Sequence, residues 1–460
     1  MFLAALRAAV GDEFVATDPQ VTAAYSRDMM PLAPAGMPLA VVKPGSTEEV
    51  VAVVKACAAA GVSIVPRGAG SGLSGAANAV DGAVSVVMTR MNRILEVDAG
   101  NRLAVVQPGV VNKDLRTAVE ARGLFYPPDP SSYDWCTIGG NLSTNAGGLC
   151  CVKYGVTTDS VLGVEVVLAS GEVLRTGRRT VKGVAGYDLT KLIVGSEGTL
   201  GIITEATLAL RPLPQAPVTM VATFADIAAA GAAVTGAVAD GLVPSLLEIM
   251  DAASIRAVQA HTGASMVGDG DTPAAILIGQ SDLGGAAAIA EMQRLEACCR
   301  AAGAEFCYLT EDLTEGRMLL QARRDVLPSL EKLGDWLTDD VCVPRTEIAA
   351  LITRCEEIAA ETGVIVAVVG HAGDGNMHPT MVYDASDPAA VARAYQAYDR
   401  ILDAGRALGG TITGEHGVGR MKQHHLAKEI GPVGLAAHRA IKNALDPDGM
   451  FNPGSMFSMG

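Results

Sequence analysis

His371 and His378 close the two ends of the octapeptide His-Ala-Gly-Asp-Gly-Asn-Met-His, and further on Glu415 and His416 stand side by side between Gly414 and Gly417. Imidazole nitrogens and carboxylate oxygens hold divalent metals, and histidine is the side chain whose ordinary pKa suits a base at neutral pH. The chain has 7 histidines, so three of them in two short glycine-bracketed stretches mark a place where chemistry is done. A seven-residue spacing would set the two imidazoles on opposite faces of a straight strand. Asp374-Gly375 removes that difficulty, because it is a strong hairpin-turn signal between two apolar runs, Val364 to Val369 and Met377 to Tyr383. Folding there brings both imidazoles to the same end of a hairpin. Glu415 then completes a set of two histidines and one carboxylate with positions left open for a substrate. His416, pointing elsewhere, is left to act as a base. The plainer alternative is a pair of solvated histidines at a hairpin tip.

A second kind of chemistry is written in glycine. Pro66-Arg67-Gly68-Ala69-Gly70-Ser71-Gly72-Leu-Ser-Gly75 contains a literal G-x-G-x-x-G at Gly70, Gly72 and Gly75. A dinucleotide fingerprint of that form needs a helix straight after the loop, so that the helix N-terminus meets the pyrophosphate. Here the β run Val84 to Met88 follows, after Asp81-Gly82. The loop therefore reads as strand–loop–strand, an anion nest of successive backbone N–H groups, with a diphosphate as its guest. The segment Thr137 to Gly148, carrying Gly139, Gly140, Asn141, Thr144, Asn145 and Gly147, repeats the signal with short hydrogen-bonding side chains. Gly195-Ser-Glu197-Gly198-Thr-Leu-Gly201 does so again and runs into a strand at Ile202-Ile203. Any one such loop can be a tight turn; three in one unit point to backbone packed against a ligand.

The elements that must position these groups fall into four stretches. Residues 1–34 read as an N-terminal helical segment. Residues 35–214 hold a helix at Glu48 to Ala60, capped by Ser46 or Thr47, a helix at Asn112 to Arg122, and short β runs at Ile64-Val65, Val84 to Met88, Ile94 to Val97 and Leu103 to Val106. Arg211-Pro-Leu-Pro214 closes that unit. Over residues 215–410 strand-like runs (Val218 to Ala222, Leu246 to Met250, Ala274 to Ile278) alternate with alanine-rich helical ones (Ile227 to Ala239, Ala287 to Ala302), an α+β domain with an antiparallel sheet. Residues 411–460 are glycine-rich and polar again.

Composition narrows the class. The formal net charge of −15 argues against nucleic acid and against polybasic attachment to an anionic membrane. Nine cysteines without a C-x-x-C pair read as reduced thiols in a cytoplasmic protein. No signal peptide is expected, because Met1 to Val10 is short, contains Arg7 and runs into Gly11-Asp12-Glu13. No apolar run reaches the ~18 residues of a spanning helix.

The loop Pro66 to Gly75, Pro127-Pro-Asp-Pro130, Asn145-Ala-Gly-Gly148 with Lys153-Tyr-Gly155, Lys191 to Gly201, the His371 hairpin, Gly414-Glu-His-Gly417 and Phe451-Asn-Pro-Gly454 occur in one order along the chain. In that order and spacing they resemble the FAD-linked D-2-hydroxyacid dehydrogenases of the vanillyl-alcohol oxidase superfamily, from about residue 35 to the C-terminus. That group holds the glycolate oxidase catalytic subunit, D-lactate dehydrogenases and D-2-hydroxyglutarate dehydrogenase. The resemblance implies a FAD domain of two α+β subdomains, a cap domain over the flavin, and a last segment returning to the FAD domain. It places the diphosphate on the loop from Arg67 to Gly75. The rest of the cofactor falls to Pro128, Asp129, Ser131, the Thr137 to Asn145 segment, Gly147, Gly148, Tyr154, the Gly195 to Ile203 segment and Asn452. No histidine precedes His261, so attachment through a histidine of the first loop is excluded and FAD is expected to be non-covalent. Cys150 or Cys151 offers a thioether alternative, against simple burial of the thiols.

The same resemblance makes His371, His378 and Glu415 the ligands of a divalent ion, with zinc implied and iron, manganese or cobalt also fitting such a set. His416 is then the general base and Arg323 the clamp on the substrate carboxylate, with Arg324 an equally placed competitor. Where 2-hydroxyglutarate enzymes carry a lysine and an asparagine around the second carboxylate, this chain has Thr338 and Thr380. D-lactate or glycolate is therefore expected over D-2-hydroxyglutarate. A FAD-dependent alkyl-dihydroxyacetonephosphate synthase is the non-redox alternative, and a binding module without turnover the third. With no second dinucleotide fingerprint and no Fe–S cysteine set, electrons are expected to leave to an external quinone, electron-transfer flavoprotein, cytochrome or Fe–S subunit. A homodimer, and a place at the inner membrane face through a partner, are compatible expectations.

Overall fold

The computed structural model describes residues 1–263 and 271–457. The chain divides into two units: Met1–Gly147 with Gly155–Leu213 and Glu415–Gly460, and Gly148–Tyr154 with Pro214–Gly414.

The first unit carries two sheets. In one, strands Ala40–Val42, Val84–Val87 and Ile64–Arg67 run parallel, with Val15–Ala16 added antiparallel at the edge. The N-terminal segment is thus woven into this sheet, its helix Phe2–Val10 packing on the helix Thr47–Ala60. That crossover helix begins where Ser46 Oγ accepts from Glu49 N at 3.2 Å and ends at Gly61 in the left-handed region, φ +63. Its Val50, Val53, Val54 and Cys57 recur at helical spacing and are all buried against Ile64, Val84 and Val86. Each of the three valines contributes roughly 1.5–3 kcal/mol on burial. The second sheet is five-stranded and antiparallel, in the order Ile94–Asp98, Leu103–Val106, Ile202–Ala209, Val161–Val167, Val173–Gly177. Helices Asn112–Glu120 and Ile138–Thr144 bury Leu115, Val119, Ile138 and Leu142 in its core.

The helix Ile138–Thr144 lies inside a segment that reads from sequence as a glycine loop. Its glycines serve packing. A Cβ on Gly139 would lie 2.5 Å from Pro108 Cβ, and a helix of poor intrinsic propensity is held there by tertiary contact. Asn145 ends it with φ +54.

The second unit is built on an eight-stranded antiparallel sheet, as the alternation of strand-like and helical runs implies. The order is Phe306–Thr310, Val218–Phe224, Ala275–Ser281, Leu246–Asp251, Ile365–His371, Asn376–Tyr383, Asp335–Thr338, with Val341–Cys342 also pairing to the Asn376–Tyr383 strand. Helices Ala252–Thr262, Leu313–Arg324 and Val326–Glu331 close an apolar layer on one face of that sheet, through Ile255, Val258, Leu320, Val326 and Leu330 against Met250, Ile276, Ile278 and Val369. All 9 cysteines are free thiols. Among the described residues no helix is long and apolar enough to cross a membrane.

Candidate active site

The strands Ile365–His371 and Asn376–Tyr383 form the hairpin that Asp374-Gly375 foretells, with His371 opposite Asn376 and His378 opposite Val369. In this register residues 369 and 371 share a face with 376 and 378 across the pair, so the odd spacing turns both rings to one side. His371 Nε2 and His378 Nε2 stand 3.3 Å apart, the rings edge-on at 81°. At the turn Gly375 has φ +92, and a Cβ there would sit 2.1 Å from Val343 O, so only glycine fits.

The neighbouring strand Leu246–Asp251 brings Glu248 directly opposite His371. Glu248 shares the face of Leu246 and Met250, His371 that of Ala367 and Val369, so the pair borders the apolar layer. Glu248 Oε1 lies 2.6 Å from His371 Nδ1, and Oε2 accepts from Arg323 Nε at 3.0 Å. Glu248 is fully buried, and the Arg323 side chain is 12% exposed. A buried carboxylate is tolerated only when its oxygens are paired, and here both are. A carboxylate accepts, so the proton of the neutral His371 ring belongs on Nδ1 and its Nε2 lone pair faces His378. That is the arrangement in which an imidazole binds a metal, with its other nitrogen held by a carboxylate. The donor chemistry of this pair fits a divalent ion.

Arg323, in the last turn of the helix Leu313–Arg324, turns inward to Glu248, while Arg324 is exposed. With Nε committed to Glu248, the guanidinium keeps its two terminal nitrogens as a fork suited to a carboxylate. Thr338 and Thr380, the two positions singled out for the substrate's far end, are cross-strand partners whose hydroxyls bond at 3.0 Å. Both are buried, as are Asp339 and Asp340 beside them. Asp340 Oδ2 accepts from Thr413 Oγ1 at 2.5 Å and Gly414 N at 2.9 Å. It thereby fixes the backbone immediately ahead of Glu415-His416. Those two residues open the segment that rejoins the first unit. Their side chains are largely buried, with His416 Nε2 at 3.9 Å from Glu415 Oε1.

In the first unit the three glycine-rich segments converge. A Cβ on Gly68 would meet Thr137 Oγ1 at 2.4 Å and Gly140 Cα at 3.5 Å, and one on Gly198 would meet Pro66 Cγ at 3.0 Å. Gly195 N donates to Leu142 O and Glu197 N to Ser143 O, both at 2.8 Å, tying the third segment to the second. Asn452 Nδ2 donates to Ala76 O at 2.8 Å and Glu197 O at 2.7 Å, which brings the C-terminal tail to the first and third. Asn112 Nδ2 holds Pro128 O and Asn141 Oδ1, each at 3.1 Å, anchoring the run that continues through Asp129 and Ser131. The buried Thr137 Oγ1 has no hydrogen-bond partner among the described residues. Closely packed glycine segments with an orphaned hydroxyl are what a bound polar cofactor would complete, and their successive backbone N–H groups fit a diphosphate-bearing dinucleotide. Arg67 lies folded against this loop, its guanidinium 2.1 Å from where a Gly70 Cβ would be, with Nη1 bonded to Ala77 O at 3.3 Å. Asp28 sits beneath Gly72, and burial pushes its carboxyl up to about 6.

Two of the expected cofactor residues, Gly148 and Tyr154, fall in a short segment grouped with the second unit. There the Tyr154 hydroxyl donates to Asp282 Oδ2 at 2.5 Å and Lys153 pairs with Asp282 Oδ1. Glu248 is the residue that sequence reading missed. Its signal is a single ionisable side chain in the otherwise apolar run Leu246 to Met250.

Comparison with known proteins identifies the family of both parts of the chain. Residues 38–177 match a FAD binding domain and residues 213–456 the C-terminal domain of FAD linked oxidases. The chain is 41% identical to glycolate oxidase subunit GlcD of Bacillus subtilis, over 94% of this chain and 92% of that one. It is 33% identical to a D-lactate dehydrogenase of Anaerostipes hadrus, over 99% and 95%. Among solved structures, 4-ethylphenol oxidase from Gulosibacter chungangensis superposes with a TM-score of 0.80 at 21% identity, covering 99% of this chain and 96% of that one. The last likeness establishes a shared fold, that of the vanillyl-alcohol oxidase type.

Proposed function

The chain belongs to the FAD-linked oxidases, and from that premise we propose that it oxidises a small D-2-hydroxy acid, D-lactate or glycolate, to the 2-oxo acid. The observation that carries this reading is the single buried carboxylate of Glu248, which joins a carboxylate-binding cation, Arg323, to a metal-ready imidazole, His371. A 2-hydroxy acid needs both at once, one for its carboxylate and one for its adjacent hydroxyl.

In this scheme the terminal nitrogens of Arg323 hold the substrate carboxylate, and the planar fork sets the orientation of Cα. His371, His378 and Glu415 would hold a divalent ion, zinc being the implied one, which polarises the hydroxyl when bound. His416 takes the hydroxyl proton on its ring nitrogen. The Pro66–Gly75, Thr137–Gly147 and Gly195–Ile203 segments with Asn452 would hold FAD, which supplies the acceptor for the Cα hydrogen and its two electrons. Electrons then pass to an acceptor outside the chain: a quinone, an electron-transfer flavoprotein, a cytochrome or Fe–S subunits.

The Thr338–Thr380 pair supports a one-carboxylate substrate. Two hydroxyls bonded to each other at 3.0 Å offer no cation to a second carboxylate, whose burial without one is costly. Anaerobic mixing of the FAD-loaded protein with 2-hydroxy acids tests the reading, since reduction bleaches the flavin absorbance.

A further inference from the structure

Glu197 is a charged residue in the middle of a glycine loop, buried to 4% exposure. Its backbone lies in the left-handed region at φ +52, a conformation that costs a non-glycine residue energy. A buried carboxylate on a strained backbone persists only where its oxygens are fully used. They are. Oε1 accepts from Val418 N at 2.6 Å, and Oε2 from Gly419 N at 2.8 Å and Ser455 Oγ at 3.0 Å.

All of these partners lie in the C-terminal segment, and two of them belong to the turn that directly follows His416. The turn is shaped to receive the carboxylate. A Cβ on Gly417 would lie 2.7 Å from Glu197 Oε1, and one on Gly419 would lie 2.1 Å from Ser74 O. The backbone of residues 417–419 is therefore gripped between a carboxylate and a carbonyl, and has one place to sit. On the chain's other side of Glu415-His416, Thr413 and Gly414 are held in the same manner by Asp340. Glu197 itself is fixed through its N–H on Ser143 O at 2.8 Å and its carbonyl on Asn452 Nδ2 at 2.7 Å.

We infer that Glu197 is a positioning residue for His416: its carboxylate anchors the Gly417–Gly419 turn and so fixes where the imidazole stands when it takes the substrate's hydroxyl proton. The inference rests on the reading of His416 as the base. In this role Glu197 acts through the turn and not on the substrate or the transferred proton.

The test is a double-mutant cycle of wild type, Glu197→Gln, His416→Ala and the double variant. For each, bound FAD per chain is measured, and the anaerobic rate of flavin reduction per bound flavin is followed against D-lactate and glycolate concentration. Glu197→Gln keeps the shape but points an amide N–H at donors that require an acceptor. It is expected to retain FAD, to lose about ten- to hundredfold in limiting rate, as a misplaced catalytic group does, and to leave half-saturation nearly unchanged. In the His416→Ala background the same substitution is expected to cost almost nothing more, because no base remains to misplace. Losses that multiply in the double variant overturn the inference. So does a Glu197→Gln rate per flavin equal to wild type, whether or not FAD is lost. Should Glu197→Gln fail to fold, Ser455→Ala, which removes one donor of the same cluster, replaces it in the cycle with a smaller loss and the same non-additivity. A wild-type rate for His416→Ala sinks the base assignment itself, whereas an impaired His416→Ala beside an unimpaired Glu197→Gln sinks only the positioning role.

Discussion

Glu248 and His371 face each other across adjacent antiparallel strands, and their side chains meet at 2.6 Å with no more than 5% of either exposed. The carboxylate fixes the imidazole's protonated nitrogen and its ring plane together. Glu248→Gln keeps the volume but replaces an acceptor pair with an amide that can serve only one of its two donors. The expected result is a loss of metal affinity of about 10- to 100-fold with FAD content unchanged. Metal per chain after stepwise exposure to a chelator measures it, and an unaltered metal content would show that Glu248 serves Arg323 alone.

His378→Ala removes the second imidazole from the pair. It is expected to lose bound metal and turnover while keeping FAD and the fold, because the FAD cradle lies in the other unit. Metal analysis, flavin absorbance and circular dichroism on one preparation check all three. Full activity of this variant in the presence of a chelator would end the role given to the hairpin.

Arg323 and Arg324 are neighbours with opposite surroundings, one bonded to Glu248 and the other exposed. Arg323→Lys retains the charge and loses the planar fork, so KM for the 2-hydroxy acid should rise about tenfold or more. Arg324→Ala should behave as wild type. Steady-state rates with an artificial electron acceptor read both, and the reverse ranking would move the clamp to Arg324.

How much of this was legible follows from range. The His371–His378 hairpin is local, marked by Asp374-Gly375 and flanking apolar runs, and the sequence places both rings together. Glu248 lies 123 residues from His371, and the pairing of their strands is a matter of sheet order that periodicity does not encode. The helix Ile138–Thr144 was hidden for another reason: Gly139 speaks against a helix in isolation, and only its contact with Pro108 shows why glycine is required. The bond from the Tyr154 hydroxyl to Asp282 spans 128 residues and is likewise invisible to local pattern.

Asp28 gives a pH dependence at the glycine loop. Its carboxyl, raised by burial from 3.8 to about 6, favours the neutral form in the folded protein. The stability it contributes is therefore full below 3.8 and is lost as pH rises through about 6. Above that value a carboxylate stands beneath the loop assigned to the diphosphate, so FAD affinity should fall over the same interval. Asp28→Asn should flatten the FAD-affinity profile and remove Asp28's share of the stability profile, to which Asp251, pushed by burial to about 6 as well, also contributes. Thermal melts of the apoprotein and FAD titrations between pH 5 and pH 7 decide it, at about one pH unit either side of the transition. A wild-type profile in the variant would assign the dependence to another group.

Flavin bound to this chain is expected to oxidise a small D-2-hydroxy acid. The direct measurement is anaerobic. The FAD-loaded protein is mixed separately with D-lactate, glycolate, L-lactate and D-2-hydroxyglutarate while the flavin absorbance is followed. Rapid bleaching is expected with D-lactate or glycolate, and little or none with L-lactate or D-2-hydroxyglutarate. No bleaching by any of the four, with FAD and metal confirmed present, would contradict it, and fast bleaching by D-2-hydroxyglutarate alone would overturn the meaning given to Thr338 and Thr380.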